Sequence, residues 1–224
     1  MYKFFIKKNI MRLGLPSKFR FLDKYFSTNQ SFILLDIGAG NHSAANTKKW
    51  FPKCVYHGVD REKDYNNSET DLKLMDQFYE MDLTLLNFHN IPDNYYDAIM
   101  MAHVIEHLPN GTEVIKALVP KLKPGGLIYI EYPGIKSTTL PSKRGTLNFF
   151  DDNTHCRIYT KVELYNTLMS ASCTPIKGGT RRDFQNMLLL PIKLFHNKIK
   201  YGYVMGSVFW DLLGFAEFVL ARKK

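Results

Sequence analysis

The feature that most limits the fold of this chain is a series of short extended runs separated by segments with turn and helix signals. The first, residues 32–37, is apolar except for Asp36 and ends at Gly38, which is typical of a strand buried on both faces. Further strands are predicted at residues 55–59, 77–81, 96–102 and 127–132. A helix is predicted at residues 111–122. This alternation predicts an α/β fold with a mostly parallel sheet, right-handed crossovers and helices on both faces.

Beyond residue 133 the pattern becomes less regular. Breakers such as Pro141 and Gly145 predict a long loop at residues 134–154. Thr160, followed three positions later by Glu163, predicts the start of a helix over residues 161–172. The remaining expected elements are strands at residues 174–182 and 216–222 and an insertion at residues 183–214. The insertion is too apolar to be disordered.

A length of 224 residues suits one well-cored domain and would be tight for two. We divide the chain into a basic helical segment (1–28), a cofactor-binding core (29–133) and a substrate-side region (134–224). A helix is expected at residues 16–26. The three cysteines form no CxxC motif, which argues against a disulfide framework and fits a cytoplasmic protein. No apolar run reaches the roughly 18 residues that a membrane-spanning helix needs.

The net charge of +9 is concentrated at the periphery of the sequence. Residues 1–24 contain seven lysines and arginines against Asp23 alone, whereas residues 60–106 are acidic. The basic ends are either a solubilising surface or a site for an anionic partner.

The turn that follows the first strand has the composition of a ligand-binding loop. Gly38 and Gly40 let the backbone pass close to a ligand, because no Cβ stands in the way. The N-terminus of the next helix favours a carboxylate, and Asp36 offers a negative charge for an ammonium group. An amino acid carries both groups, as does the methionine half of S-adenosylmethionine. Asp36 would repel a pyrophosphate, and His42 replaces the third glycine of the dinucleotide fingerprint, so NAD is disfavoured.

Two further aspartates follow the next two strands. Asp60 ends the second strand, where an acid in nucleotide-binding folds binds ribose hydroxyls, and Arg61 either covers that ribose or faces solvent. Asp82 follows the third strand and could accept the adenine amino group, with the Leu83 amide nearby. Each aspartate could instead cap a helix. Three acids at three successive strand ends are harder to explain by capping alone.

The chain resembles the class I S-adenosylmethionine-dependent methyltransferases. The matching segments are LLDIGAG (34–40), YHGVD (56–60), MDL (81–83), YDAIMMAHVIEHL (96–108) and LKPGGLIYIEYP (122–133). The resemblance implies a Rossmann-like, seven-stranded, mostly parallel sheet with an antiparallel last strand. It also implies that backbone near Met101 and Ala102 holds the methionine amino group. The predicted cofactor site is Asp36, Gly38, Ala39, Gly40, Asp60, Arg61, Asp82, Leu83, Met101 and Ala102.

Two histidines are candidates for the base that an oxygen acceptor requires. His103 lies just past the fourth strand, beside the expected sulfonium, and His155 lies in a polar run within the substrate-side region. Either ring could instead be a simple hydrogen-bonding group. In the same run, Arg157 and Tyr159 are candidate substrate residues, and Arg157 could hold an anionic acceptor.

Metal binding is a further hypothesis for residues 103–107. His103, Glu106 and His107 have i, i+3 and i+4 spacing, which places them on one helical face. The similar ubiquinone-biosynthesis O-methyltransferases use acidic and histidine residues here for a divalent ion, but His103 stands where they have an acid. We therefore expect S-adenosylmethionine as the cofactor and no physiological metal.

The acceptor is expected at the substrate-side edge of the sheet. Arg181 and Arg182 end the sixth strand there and are predicted to contact a phosphate or carboxylate of the acceptor. The basic, apolar insertion is a surface for anionic lipid, a wall of the substrate pocket, or simple packing against the sheet.

The leading functional hypothesis is O-methylation of a small molecule or of a glycan or lipid-linked precursor, with possible peripheral contact to the inner face of a membrane. RNA methylation is the second hypothesis, since the charge permits it but no RNA-binding appendage is visible. A non-catalytic partner subunit is the third. The intact set of Asp36, Gly38, Gly40 and Asp60 argues against it.

Overall fold

The computed structural model describes Arg12 and residues 14–224. Seven strands form one sheet: β1 Phe32–Ile37, β2 Cys54–Asp60, β3 Gln77–Glu80, β4 Tyr96–Ala102, β5 Leu122–Pro133, β6 Cys173–Thr180 and β7 Ala216–Lys223. The helices are α1 Arg20–Tyr25, α2 Ser43–Trp50, α3 Glu69–Leu74, α4 Gly111–Leu118, α5 Lys161–Ser170, α6 Phe184–Leu188, α7 Leu190–Tyr201 and α8 Trp210–Leu213.

The strand order is β3-β2-β1-β4-β5-β7-β6. Neighbouring strands from β3 to β5 pair in parallel, whereas β7 pairs antiparallel with both β5 and β6. The carboxyl ends of β1 to β5 therefore share one edge of the sheet. This arrangement confirms the Rossmann-like fold predicted from the sequence.

The apolar residues of the strands face two helical layers. Leu35 packs in a cluster with Val114 of α4 and Leu164 of α5, whereas its neighbour Leu34 packs with Phe21 of α1 on the opposite face. Burial of one such side chain stabilises the fold by about 1.5–3 kcal/mol. Because consecutive strand residues point to opposite faces, both sides of the sheet need an apolar cover.

Two expected boundaries differ from the structure for identifiable reasons. The helix predicted at residues 111–122 ends as an α-helix at Leu118 and continues as a 3-10 turn, Val119–Lys121, because Pro120 has no amide hydrogen to continue the α-helical ladder. Strand β5 begins five residues earlier than expected, because Leu122 already pairs with Tyr96 before an irregularity in the register.

The N-terminal part packs under the sheet. Residues 16–26 form a 3-10 turn, Ser17–Phe19, followed by α1. Phe21 stacks on Tyr129 of β5, with ring centroids 4.7 Å apart. The basic residues expected before Arg12 lie outside the described residues.

The insertion after β6 is helical and lies against the long loop after β5. The amide of Gly206 donates to the carbonyl of Arg144 at 2.8 Å, and the indole Nε1 of Trp210 donates to the carbonyl of Thr146 at 2.6 Å. Within the described chain, every helix is too short or too polar to cross a lipid bilayer.

Candidate active site

A cleft of about 730 Å³ opens where the carboxyl ends of β1 to β4 meet. Its size is within the range of sites that bind small molecules. The predicted cofactor residues that line it are Gly38, Gly40, Asp60, Arg61, Asp82, Leu83 and Ala102. A smaller cleft of about 380 Å³ lies along the edge strand β3. It contains no predicted site residue, so we assign the ligand to the larger cleft.

The glycine turn after β1 needs both of its glycines. Gly38 has a φ of +79°, and a Cβ there would overlap the side chain of Val104. A Cβ on Gly40 would lie 2.7 Å from the ring of Tyr65, which covers the turn. Asn41 and His42 continue in the left-handed conformation, with φ of 55° and 57°. A turn of this kind leaves backbone, not side chain, facing the cleft.

Asp36 lies beneath this turn and does not line the cleft. It is 2 % exposed, and its Oδ2 accepts hydrogen bonds from Ser43 Oγ at 2.5 Å and Tyr56 OH at 2.7 Å. Burial raises the pKa of Asp36, and these hydrogen bonds and Lys18 oppose the rise. These contacts tie Asp36 to the start of α2, and its contact with a ligand ammonium stays a prediction. Ala39 and Met101 are also fully buried.

His42, which replaces a glycine of the family pattern, has a local partner. Its Nδ1 lies 2.6 Å from Oδ2 of Asp71 in α3. The pair joins the start of α2 to α3 and stands outside the cleft.

Asp60 and Asp82 do line the cleft, as expected. Asp60 Oδ1 accepts from the amide of Arg61 at 2.7 Å, and partial burial raises the pKa of Asp60. Asp82 Oδ1 accepts from the amide and the hydroxyl of Thr84 at 2.9 and 2.6 Å, which lowers the pKa of Asp82. Both are therefore anchored acceptors at neighbouring strand ends.

His103 lies between two buried carboxylates. Its Nδ1 is 3.2 Å from Glu106 Oε1, and its Nε2 is 3.2 Å from Glu131 Oε1. Burial alone would lower the pKa of His103, but the two carboxylates outweigh it and raise this pKa to about 9. At neutral pH the ring is thus a cation that donates from both nitrogens. This charge state argues against the expected role of His103 as a base.

Arg181 joins the cluster of His103, Glu106 and Glu131, which we call the charge network. It donates to Glu131 Oε1 at 2.9 Å and to Asp211 Oδ1 at 3.0 Å. Burial would raise the pKa of Glu131, but His103 and Arg181 hold it at about 2. Arg182 donates to the carbonyls of Asp211 and Leu212. The two arginines therefore fasten the insertion to the sheet.

The other two expected substrate residues are also engaged within the chain. Arg157 Nη2 donates to Glu163 at 2.5 Å. Tyr159 is buried, and its hydroxyl donates to the carbonyl of Leu108 at 2.5 Å and accepts from the amide of Gly111 at 3.0 Å. None of the four expected substrate residues, Arg157, Tyr159, Arg181 and Arg182, is among the described residues that line the cleft.

His155 lines the cleft with one nitrogen available. Its Nδ1 donates to the carbonyl of Phe149 at 2.7 Å, which leaves the lone pair on Nε2. That Nε2 lies 3.8 Å from Asp152 Oδ2 and 4.0 Å from Glu106 Oε1. A histidine whose Nε2 lies beside two carboxylates is suited to accept a proton, because the carboxylates stabilise the imidazolium that forms.

The set that could hold a metal differs from the one expected from spacing. Ligand atoms of Glu106, His107 and His155 lie within 4.8 Å of one another. Glu106 Oε2 is buried and has no hydrogen-bond partner among the described residues. His103 instead contacts Glu131: it precedes the short helical turn Ile105–His107 and has a left-handed φ of 56°, so the residues 103–107 do not form the continuous helix that the spacing assumed.

The end of the insertion and the residue after it form an aromatic wall of the cleft, and a pocket wall was one of the three interpretations of the insertion. Trp210 and Phe215 both line the cleft and stack with centroids 4.5 Å apart. Trp210 also lies over His103, with centroids 4.8 Å apart. Their position at the end of the apolar insertion is the only signal in the sequence.

Comparisons with known proteins agree with this geometry. A family model described as a methyltransferase domain matches residues 6–176. No curated protein matches the chain.

Solved structures of methyltransferases have a similar fold. A SAM-dependent methyltransferase from Archaeoglobus fulgidus has a TM-score of 0.58 at 19 % identity, with 92 % of each chain covered. One from Mesorhizobium loti has a TM-score of 0.61 at 12 % identity, with 93 % of this chain and 98 % of that chain covered. Phosphoethanolamine N-methyltransferase 2 of Haemonchus contortus, in complex with phosphomonomethylethanolamine and S-adenosylhomocysteine, has a TM-score of 0.64 at 16 % identity. That likeness covers 92 % of this chain and 52 % of that one.

Proposed function

The chain belongs to the methyltransferase domain family, and from that premise we propose that it transfers the methyl group of S-adenosylmethionine to an oxygen atom. The acceptor is a small molecule or a glycan or lipid-linked precursor, and His155 is the base. The observation that carries the proposal is that His155 lines the cleft while its Nδ1 is engaged with the carbonyl of Phe149, so that Nε2 is the ring atom left to accept a proton.

The residues present fit the cofactor. Gly38 and Gly40 bring the backbone to the cleft wall where a Cβ would collide with Val104 or Tyr65, and Asp60 and Asp82 line the cleft at the next two strand ends. Several carboxylate side chains line the cleft. Among its described lining residues, Arg61 is the only arginine or lysine. A negative cleft favours a cationic sulfonium over its neutral product, which helps the product to leave.

When bound, S-adenosylmethionine supplies a methyl carbon that is activated by the positive sulfur. The protein has two tasks, which are alignment of the acceptor and removal of its proton. His155 Nε2 would take the proton of the acceptor hydroxyl. The bound cofactor would supply the methyl group, whose bond to sulfur would break as its bond to the acceptor oxygen forms, with S-adenosylhomocysteine as the leaving group. Asp152, at 3.8 Å, stabilises the resulting imidazolium.

The His103 cation has a different part in this scheme. It is held by Glu106 and Glu131 and packs under Trp210, so it keeps the aromatic wall in place and lowers the pKa of Glu131. We assign it a positioning role. Trp210 and Phe215 give the acceptor side of the cleft an apolar surface on which a ring can lie.

The test supplies tritiated methyl donor with separate small-molecule, lipid and RNA fractions of a cell extract, and identifies the methylated atom by NMR. We expect label on an oxygen of a small-molecule or lipid-linked product. His155→Gln should lower kcat by about 100-fold or more, with unchanged affinity for S-adenosylmethionine.

His89→Gln, at an exposed histidine, is the matched control and should behave as wild type. Label recovered only in RNA would contradict the choice of acceptor. A His155→Gln enzyme with full kcat would contradict the choice of base.

A further inference from the structure

Helices α6 and α7 carry a row of large apolar side chains without cover. Phe184, Leu188, Ile192, Phe195 and Ile199, which we call the apolar row, follow one another at intervals of three or four residues. They are between 66 % and 82 % exposed. Within the described chain, α7 contributes no buried residue at all. A contiguous exposed apolar surface of this kind indicates a binding partner.

The charge around the apolar row is of one sign. Residues 184–210 contain no aspartate or glutamate and three lysines, Lys193, Lys198 and Lys200. Lys193 donates to the Asn186 amide oxygen at 2.6 Å, and Lys198 donates to the carbonyl of Gly202 at 2.8 Å. Among the ion pairs of the described residues, none neutralises these lysines. The partner must therefore be apolar and anionic at once.

The inner side of the same segment is firmly attached. Asp183 at the start of α6 accepts from Arg20 at 2.8 Å, and Asp211 accepts from Arg181 at 3.0 Å and from Asn186 at 3.0 Å. These contacts hold the insertion to the sheet and to the N-terminal helix. The apolar row is consequently a preformed surface and needs no folding to be displayed.

Arg12 and Gly14 contact the buried side of α6, opposite the apolar row. Gln185 of α6 accepts from the amide of Gly14 at 2.9 Å and donates to the carbonyl of Arg12 at 3.4 Å. The sequence before Arg12 is itself apolar and basic, and residues 1–22 contain no acid. The acid-free parts of the sequence at residues 1–22 and 184–210 are thus in contact through Gly14 and Gln185.

We propose that this surface docks on an anionic lipid membrane, with the apolar row at the acyl boundary and the lysines against headgroup phosphates. A surface helix with an apolar face and lysines is suited to this position, and lysine stems can reach from it to the headgroups. A second copy of the chain would set lysines against lysines, because a two-fold interface pairs a patch with itself. Trp210 ends the same insertion and lines the cleft, so docking brings the cleft mouth near the membrane.

The experiment measures co-sedimentation of the full chain with vesicles of phosphatidylcholine, with and without phosphatidylglycerol. We expect binding only when phosphatidylglycerol is present, and weaker binding as salt rises. Lys198→Glu with Lys200→Glu should weaken binding by more than about tenfold. Phe195→Ser with Ile199→Ser should do the same by removing inserted apolar area.

Lys73→Glu with Lys116→Glu is the matched control, since both lysines are exposed and lie on other helices. It should bind as wild type does. Absence of binding to phosphatidylglycerol vesicles, or equal loss in the control, would overturn the proposal. A dimer by light scattering that Phe195→Ser with Ile199→Ser disperses would assign the surface to a second copy instead. Binding that is lost on deletion of residues 1–11 but unchanged in the α7 variants would also overturn it. None of these results depends on methyl transfer.

Discussion

The charge state of His103 leads to a prediction about stability. Its pKa is raised from 6.5 to about 9, and its side chain is about three-quarters buried between Glu106 and Glu131. This difference in the pKa of His103 between the unfolded and folded states corresponds to on the order of 3 kcal/mol in the free energy of unfolding. A raised folded-state pKa stabilises the protein fully below pH 6.5, and this stabilisation is lost as the pH rises through about 9.

The test is urea unfolding of wild type and His103→Gln at about pH 6 and about pH 10. The wild type should be more stable than the variant at both pH values. That advantage should shrink by about 3 kcal/mol at the higher pH, because only the wild type loses the imidazolium. Subtracting the variant removes the titration of lysines, tyrosines and cysteines, which both proteins share.

His89→Gln serves as a control for substitution of a histidine and should not change the pH dependence. An advantage of wild type that is the same at both pH values would refute the assignment of His103 as a buried cation. NMR titration of the His103 ring would then be expected to give a pKa near its ordinary value.

Three further predictions concern the turn, the charge network and the metal-like cluster. Gly38→Ala should lower the free energy of unfolding by about 1–3 kcal/mol more than Gly125→Ala, because both have positive φ but only Gly38 meets another side chain; equal losses in urea melts would contradict this. Arg181→Met should cost about 3–5 kcal/mol, because buried Asp211 loses its ion-pair partner and Glu131 keeps only His103, and Arg182→Met should cost much less. A stable Arg181→Met protein in thermal melts would count against the network. Added Zn²⁺ should inhibit methyl transfer by binding the Nε2 that His155 needs, with recovery on chelation; insensitivity to Zn²⁺ in initial-rate assays would argue against His155 as base.

The sequence predicted the parts of the site that depend on local order along the chain. The carboxyl end of each predicted strand lies within two residues of its position in the structure. The glycine turn, Asp60 and Asp82 therefore reach the same cleft, as expected. Such positions follow from apolar periodicity and from the rule that parallel strands end at one edge.

The parts that were missed depend on pairs of residues far apart in sequence. Glu131 and Arg181 are 50 positions apart, and their contact turned an expected substrate arginine into a buried structural one. Asp36 is likewise satisfied by Tyr56, a residue of the neighbouring strand. A single sequence does not reveal which buried charge pairs with which, because many pairings share the same periodicity.

The central claim is that the cleft at the ends of β1 to β4 binds S-adenosylmethionine. Calorimetry with wild type, Asp60→Asn and Asp64→Asn tests it directly, since Asp64 is an exposed neighbour in the same loop. We predict binding by wild type and Asp64→Asn, and a loss of affinity of about tenfold or more in Asp60→Asn. No binding heat with the wild type, or unchanged affinity in Asp60→Asn, would contradict the account.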